Sequence, residues 1–127
     1  MDPSRYAELF LTEARDHLTA INQALIELEH SPDAREPIDA IFRAVHTVKG
    51  MSGVMGYDAV GALSHAVESL LSRVRAGEVR LESEEVVLLF DAADTLEHAI
   101  ESAGNREASA LDVSSLVGRL AERSRRA

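Results

Sequence analysis

The sequence predicts an all-α fold: an antiparallel up-down four-helix bundle with an additional C-terminal helix. Three observations lead there. Apolar residues recur at alternating spacings of three and four in four successive segments, as in helices that bury one stripe. No segment sustains the strict alternation of a half-buried strand. Aromatics make up 4% of the chain and hydrophobic residues 46%, with only three prolines and seven glycines. Aliphatic side chains must therefore fill the core, which suits helices packed on helices.

The first helix is expected to start near Pro3 with Asp2 as its cap. Its stripe runs Leu11, Ala14, Leu18, Ile21, Leu25, Leu28, and His30-Ser31-Pro32-Asp33 ends it. The second is expected from Pro37, with the seam Ile38, Ile41, Val45, Val48, Ser52, Met55 widened by Phe42. Gly56 is its stop signal. Asp58 is placed to cap the third, whose seam is Val60, Leu63, Val67, Leu70, Val74, and Gly77 ends it. Ser83 is placed to cap the fourth, and Glu84 and Glu85 favour its positive N-terminal end. That seam is Val86, Leu89, Ala93, Leu96, Ile100, closed by Gly104-Asn105. A shorter fifth helix carries Val113, Leu116, Val117 and Leu120, and Arg123 to Ala127 are expected to fray or lead into a linker.

A chain of 127 residues fits one domain spanning 1–127, with the bundle over about 3–104 and the extra helix over about 111–124. The net charge of −9 argues against nucleic acid or an anionic membrane as partner. No apolar run approaches the roughly 20 residues that span a bilayer. Absent cysteine removes disulfides and thiolate metal sites and fits a cytoplasmic location. No Walker-type phosphate loop is present, because the run from Gly50 to Gly56 lacks the GK[ST] ending. Neither Ser52 nor Ser64 has the partners of an activated nucleophile.

One stretch breaks the seam chemistry. His46, Lys49, Gly50 and Gly53 stand at i, i+3, i+4 and i+7, so they share one face on the flank of the second helix. Each glycine there sacrifices roughly 1 kcal/mol against alanine, which points to something that must approach the backbone beside His46. On the third helix Gly61, Ser64, His65 and Glu68 occupy the corresponding non-seam face. If the two helices fold back at Gly56, His46 lies level with Ala66, and His65 and Glu68 straddle that level within roughly 3 Å along the axis. His46, Lys49, His65 and Glu68 can then form one polar patch. A neutral imidazole in it offers one basic nitrogen to a phosphoryl group. Its N–H needs an acceptor, which Glu68 supplies, while Lys49 offsets phosphate charge. Period alone does not show that the two faces meet. The alternative is a helical metal-binding or structural interaction module built on His46, His65 and Glu68, which supplies only three ligands and no HExxH-type spacing. His17, His30 and His98 gather no polar group around them. Met51 and Met55 are expected as core filler.

The run from Ala40 to Gly53, followed by Met55-Gly56-Tyr57, then His65-Ala66-Val67-Glu68-Ser69-Leu70-Leu71 and Arg75-Ala76-Gly77-Glu78, resembles the histidine phosphotransfer (Hpt) domain of CheA-type chemotaxis histidine kinases. HxxKGxSG paired with HxxE carries the likeness, from the first helix through the fourth. The resemblance implies that His46 is the phosphoacceptor, with Lys49, His65 and Glu68 around it and Glu68 accepting from the ring. Gly50 and Gly53 then lie beside the docking surface, with Met51 standing where a smaller residue is common. It also implies two partners, a histidine kinase ATP-binding domain and the receiver domain of a response regulator. ATP and Mg belong to those separate domains, with no cofactor or metal in this one. No catalytic centre of its own is expected. The chain is expected to be a fragment of a protein histidine kinase, with a free-standing phosphotransfer protein as the alternative, and to be monomeric in isolation.

Overall fold

Every expected segment forms a helix. The structure, a computed structural model, describes residues 3–104 and 112–125. The elements are α1 (Pro3–His30), α2 (Arg35–Met55), α3 (Asp58–Arg75), α4 (Ser83–Gly104) and α5 (Ser114–Arg125). Among the described residues there is no strand, and no helix is long and apolar enough to cross a membrane. The helices close a ring in which α2 packs on α1 and α3, and α4 packs on α3 and α1. α5 lies outside the ring, mainly against α3.

One aliphatic core runs the length of the ring. Leu28, Val48, Leu63, Leu70, Leu71 and Ile100 are fully shielded from solvent. The seams hold with small rotations. In α1 Phe10, rather than Leu11, occupies the core position; Leu11 turns toward α4, where a Cβ on Gly104 would meet its side chain at 2.9 Å. Gly104 is thus a point of close approach as well as a helix end. Val74 and Met55, expected in the seams, are only partly buried.

The helix starts differ from expectation in instructive ways. α2 begins at Arg35 rather than Pro37, because a proline in the first turn lacks only an N–H that has no helical partner anyway. Asp58 is the first residue of α3 and not its cap; Tyr57 holds the cap position without a side-chain bond. Ser83 likewise lies inside α4. The Glu85 carboxylate accepts from the Glu82 backbone N–H at 3.0 Å instead, the return half of a capping box. Asp112 accepts from the Ser114 N–H at 3.0 Å and so opens α5. The expected Asp2 cap and Asn105 fall outside the described residues.

The stops behave as expected. Gly56 and Gly77 have φ of 73° and 78°, a left-handed conformation that suits glycine. After each, an N–H returns five residues, Tyr57 to Ser52 at 2.9 Å and Glu78 to Arg73 at 2.9 Å. Of the end expected to fray or lead into a linker, Arg123 to Arg125 do not fray, and Arg126 and Ala127 lie outside the described residues. The helix continues through Arg125, because Arg123 donates to Glu84 at 2.7 Å and Glu85 at 3.0 Å and Ser124 is buried.

Replacing Leu63 by alanine is expected to lower stability by about 2–5 kcal/mol in urea denaturation, since its side chain leaves a cavity among fixed neighbours. A loss below about 1 kcal/mol would mean that the ring is not packed as described.

Candidate functional site

The site is positioned by the shortest connection in the ring. Only Gly56 and Tyr57 separate α2 from α3, so the two helices stay in register from the turn outward. Near the turn they come close. Ser52 is buried, its hydroxyl donating to the Lys49 carbonyl at 2.8 Å. A Cβ on Gly61 would stand 3.1 Å from that hydroxyl oxygen. Gly61 and Ser64 therefore do not belong to an outer polar face; Ser64 is wholly buried.

Farther from the turn, the flank of α2 meets the flank of α3. Glu68 accepts two hydrogen bonds across the groove. One oxygen takes the Nδ1–H of His46, and the other takes the Lys49 ammonium at 2.5 Å. The carboxylate is 13% exposed, Lys49 32% and the His46 side chain 64%. A recessed acid thus holds a ring that projects into solvent. Burial pushes the Glu68 pKa up, but the hydrogen bonds from Lys49 and His46, with their charges, outweigh it and hold the carboxyl below its ordinary value. Glu68 is ionised at neutral pH and can only accept. The His46 proton must therefore sit on Nδ1, which leaves Nε2 as the basic nitrogen of the neutral ring.

His46, Lys49 and Glu68 are thus brought together. His65 is not: it is exposed and makes no hydrogen bond to the other three. Among the described residues no group of three or more His, Asp or Glu side chains is arranged to hold a metal ion, so the metal-binding alternative has no support. Gly50 and Gly53 lie exposed on α2, and a Cβ on either would meet nothing within 4 Å. No internal packing calls for a glycine at these positions. His17 and His98 stand apart, and His30 donates from Nδ1 to its own helix at the Ile26 carbonyl, 3.0 Å away.

Two features escaped sequence reasoning. Below His46 the ring of Phe42 lies nearly parallel to the imidazole, 9° between planes with centroids 6.4 Å apart. Where the C-terminal end of α2 meets the start of α1, Tyr6, Leu9 and Val54 expose large apolar surface, Val54 at 88%. They rim a shallow depression that Met51 and Met55 also line, so the two methionines, though packed on the core, are surface as well as filler. The i, i+4 spacing of Phe42 and His46 could have revealed the first feature. The second depends on which ends of α1 and α2 meet, which needs the topology.

A ring of antiparallel helices that presents a histidine on its flank, held by a recessed carboxylate, defines a class, the helical domains that orient an exposed imidazole through an acidic partner. Comparison with known proteins narrows it. The Hpt domain pattern matches residues 5–123, and the chain belongs to this family. It is 38% identical over 102 residues to the chemotaxis protein CheA of Bacillus subtilis, covering 80% of this chain and 15% of that protein. It is 40% identical over 96 residues to CheA of Halobacterium salinarum, covering 76% and 14%. The chain thus spans about a seventh of the length of these curated relatives. Among solved structures it is similar to the phosphorylated P1 domain of CheA3 in complex with CheY6 from R. sphaeroides, with a TM-score of 0.83, 30% identity, and 95% and 96% of the two chains covered. The CheA phosphotransferase domain from Thermotoga maritima follows at 0.76 and 31%, covering 80% and 97%.

The depressed Glu68 pKa fixes a pH dependence. A carboxyl that is more acidic folded than unfolded stabilises the fold above its ordinary value of 4.5 and loses that contribution as pH falls through its folded value. Wild type is therefore expected to exceed Glu68→Gln in thermal stability at neutral pH, with the difference shrinking as pH drops below the ordinary value. A difference independent of pH would contradict the two-bond geometry.

Proposed function

We propose that this chain is a phosphocarrier domain of a CheA-type chemotaxis relay, with His46 as the residue that carries the phosphoryl group. The observation that carries the reading is the orientation of one ring: Nδ1–H is committed to Glu68 while the side chain is 64% open to solvent. Nε2 is then a lone-pair nucleophile facing outward. In the first step a separate ATP-binding domain, with its own Mg, presents the γ-phosphoryl group. The Nε2–P bond forms, the bond from phosphorus to the β–γ bridging oxygen breaks, and ADP departs. The ring becomes imidazolium-like, and Glu68 stabilises that charge through Nδ1–H. Lys49 keeps Glu68 ionised and adds positive charge near the phosphoryl oxygens. In the second step an aspartate carboxylate of a receiver domain attacks phosphorus, the N–P bond breaks, and its electron pair returns to Nε2. His65, at the surface nearby, takes a place at the rim of the contact rather than in the hydrogen-bonded set.

Docking falls to the face that Gly50 and Gly53 leave bare. Their missing side chains let a partner backbone approach the groove beside His46. The apolar rim of Tyr6, Leu9 and Val54 provides area that a visiting surface can dehydrate. The relatives support the partner class: one similar structure is a phosphorylated P1 domain in complex with CheY6. The chain works as a monomer in isolation.

Two experiments test this. Incubated with a CheA kinase core and ATP, the wild-type chain is expected to take up acid-labile phosphate and His46→Gln none; labelling of that variant would refute the site. Gly53→Ala separates docking from folding. With nothing within 4 Å of a Cβ at this site, it is expected to raise stability by about 0.5–1 kcal/mol while slowing transfer to a receiver severalfold. Unchanged transfer would remove the docking role of the glycines.

A further inference from the structure

The Glu68 bond leaves one freedom of the His46 ring unrestrained. A single hydrogen bond fixes the position of Nδ1, yet the ring can still swing about that bond, and Nε2 on the far side sweeps with it. A second constraint on a face of the ring would remove this motion. The structure holds one in a ladder of three side chains below His46 along the α2–α3 groove. Phe42, one turn before His46 on the same helix face, lies 9° from parallel to the imidazole with centroids 6.4 Å apart. The Arg75 guanidinium carbon sits 4.2 Å from the Phe42 centroid. Asp39, back on α2, accepts from Arg75 Nε at 2.8 Å.

We infer that Asp39, Arg75 and Phe42 form a positioning arm that keeps the His46 ring in its reactive orientation, so that Nε2 points outward along one direction. The inference rests on the phosphocarrier reading of His46 and adds residues to it. Each rung limits the next. Asp39 holds the guanidinium, which is the last residue of α3 and would otherwise be free at a helix end. The cation over its face holds the Phe42 ring. The phenyl plane then restricts the swing of the imidazole, in the offset near-parallel range of aromatic pairs. The arm spans α2 and α3 just as the Glu68 pair does, so the ring is gripped from both helices at its edge and along its face. Arg75 is exposed with its charge matched by Asp39, and Phe42 is only partly buried. Phe42 packs against the core from its edge without being enclosed by it, which leaves its ring face available for orientation. Ring orientation matters because phosphoryl transfer requires the attacking nitrogen in line with the leaving oxygen, and small misplacements reduce rate steeply.

Labelling of the 127-residue chain by a CheA kinase core and ATP tests this, because a docked donor holds phosphorus in one place and so reads the direction of Nε2. Phe42→Leu keeps an apolar side chain but removes the plane. It is expected to slow labelling by about threefold to tenfold and to broaden the His46 rotamer distribution in NMR couplings. Phe42→Tyr, which restores the plane, is expected to label at close to the wild-type rate. Arg75→Gln, at the surface, is expected to change rate and rotamers in the same direction by less. It serves as the test should Phe42→Leu not fold. Wild-type rate and rotamers in Phe42→Leu and Arg75→Gln would overturn the arm, as would equal losses in Phe42→Leu and Phe42→Tyr. A wild-type chain that takes no label on His46 would instead refute the phosphocarrier reading itself.

Discussion

A single carboxylate, Glu68, joins two helices and sets the chemistry of a third side chain. It is largely sheltered on α3, yet stays ionised because two donors from α2 reach it. An unpaired carboxylate in that position would be pushed toward its neutral form, and a neutral acid could donate to the imidazole and reverse the tautomer. Lys49 therefore matters to His46 without touching it: by keeping Glu68 charged, it keeps the proton on Nδ1 and the lone pair on Nε2. Beyond the stability that the sheltered Glu68 charge contributes, the value of this trio lies in which nitrogen it leaves available.

The rest of the fold serves to hold α2 and α3 at one separation and one offset. The two-residue link at Gly56 and Tyr57 fixes the offset. The buried Ser52 against Gly61 fixes the separation near the turn, and the aliphatic ring behind it keeps both helices from rotating. An arginine–glutamate pair at the other side of the ring, Arg15 with Glu101 at 2.7 Å through two hydrogen bonds, ties α1 to α4. α5, clamped to α4 by Arg123, covers the side of α3 away from α2 and leaves the His46 groove open.

Much of this was legible in the residues. Four seams of period 3.5 yielded the helices and their order, and the glycines at 56 and 77 marked two stops whose positive φ is now seen. Counting outward from Gly56 placed Glu68 within a turn of His46. The starts were less legible, because Asp58 and Ser83 have cap-forming side chains but sit one residue inside their helices, where backbone groups and the Glu85 carboxylate do the work. His65 matched the spacing argument as well as Glu68 did, yet a three-residue difference turns a side chain about 60° around a helix. That was enough to send one into the groove and the other to solvent. Phe42 was read as core because it is apolar; its i, i+4 spacing to His46 signals that the two rings are neighbours, while their parallel setting depends on rotamers. Fraying at the arginine-rich end was the expectation from charge alone; Arg123 to Arg125 stay helical because Arg123 pairs with Glu84 and Glu85 on α4, a contact between residues 38 or 39 positions apart that no sequence pattern announces.

The central claim is that the Glu68 bond to Nδ1 makes Nε2 of His46 the nitrogen that bears phosphate. Phosphorus and nitrogen NMR of the phosphorylated, ¹⁵N-histidine-labelled chain measures this directly through the phosphorus–nitrogen coupling. The account predicts coupling to Nε2 of His46, with the Nδ1 proton still present. Phosphate on Nδ1, or on any other histidine, would contradict it.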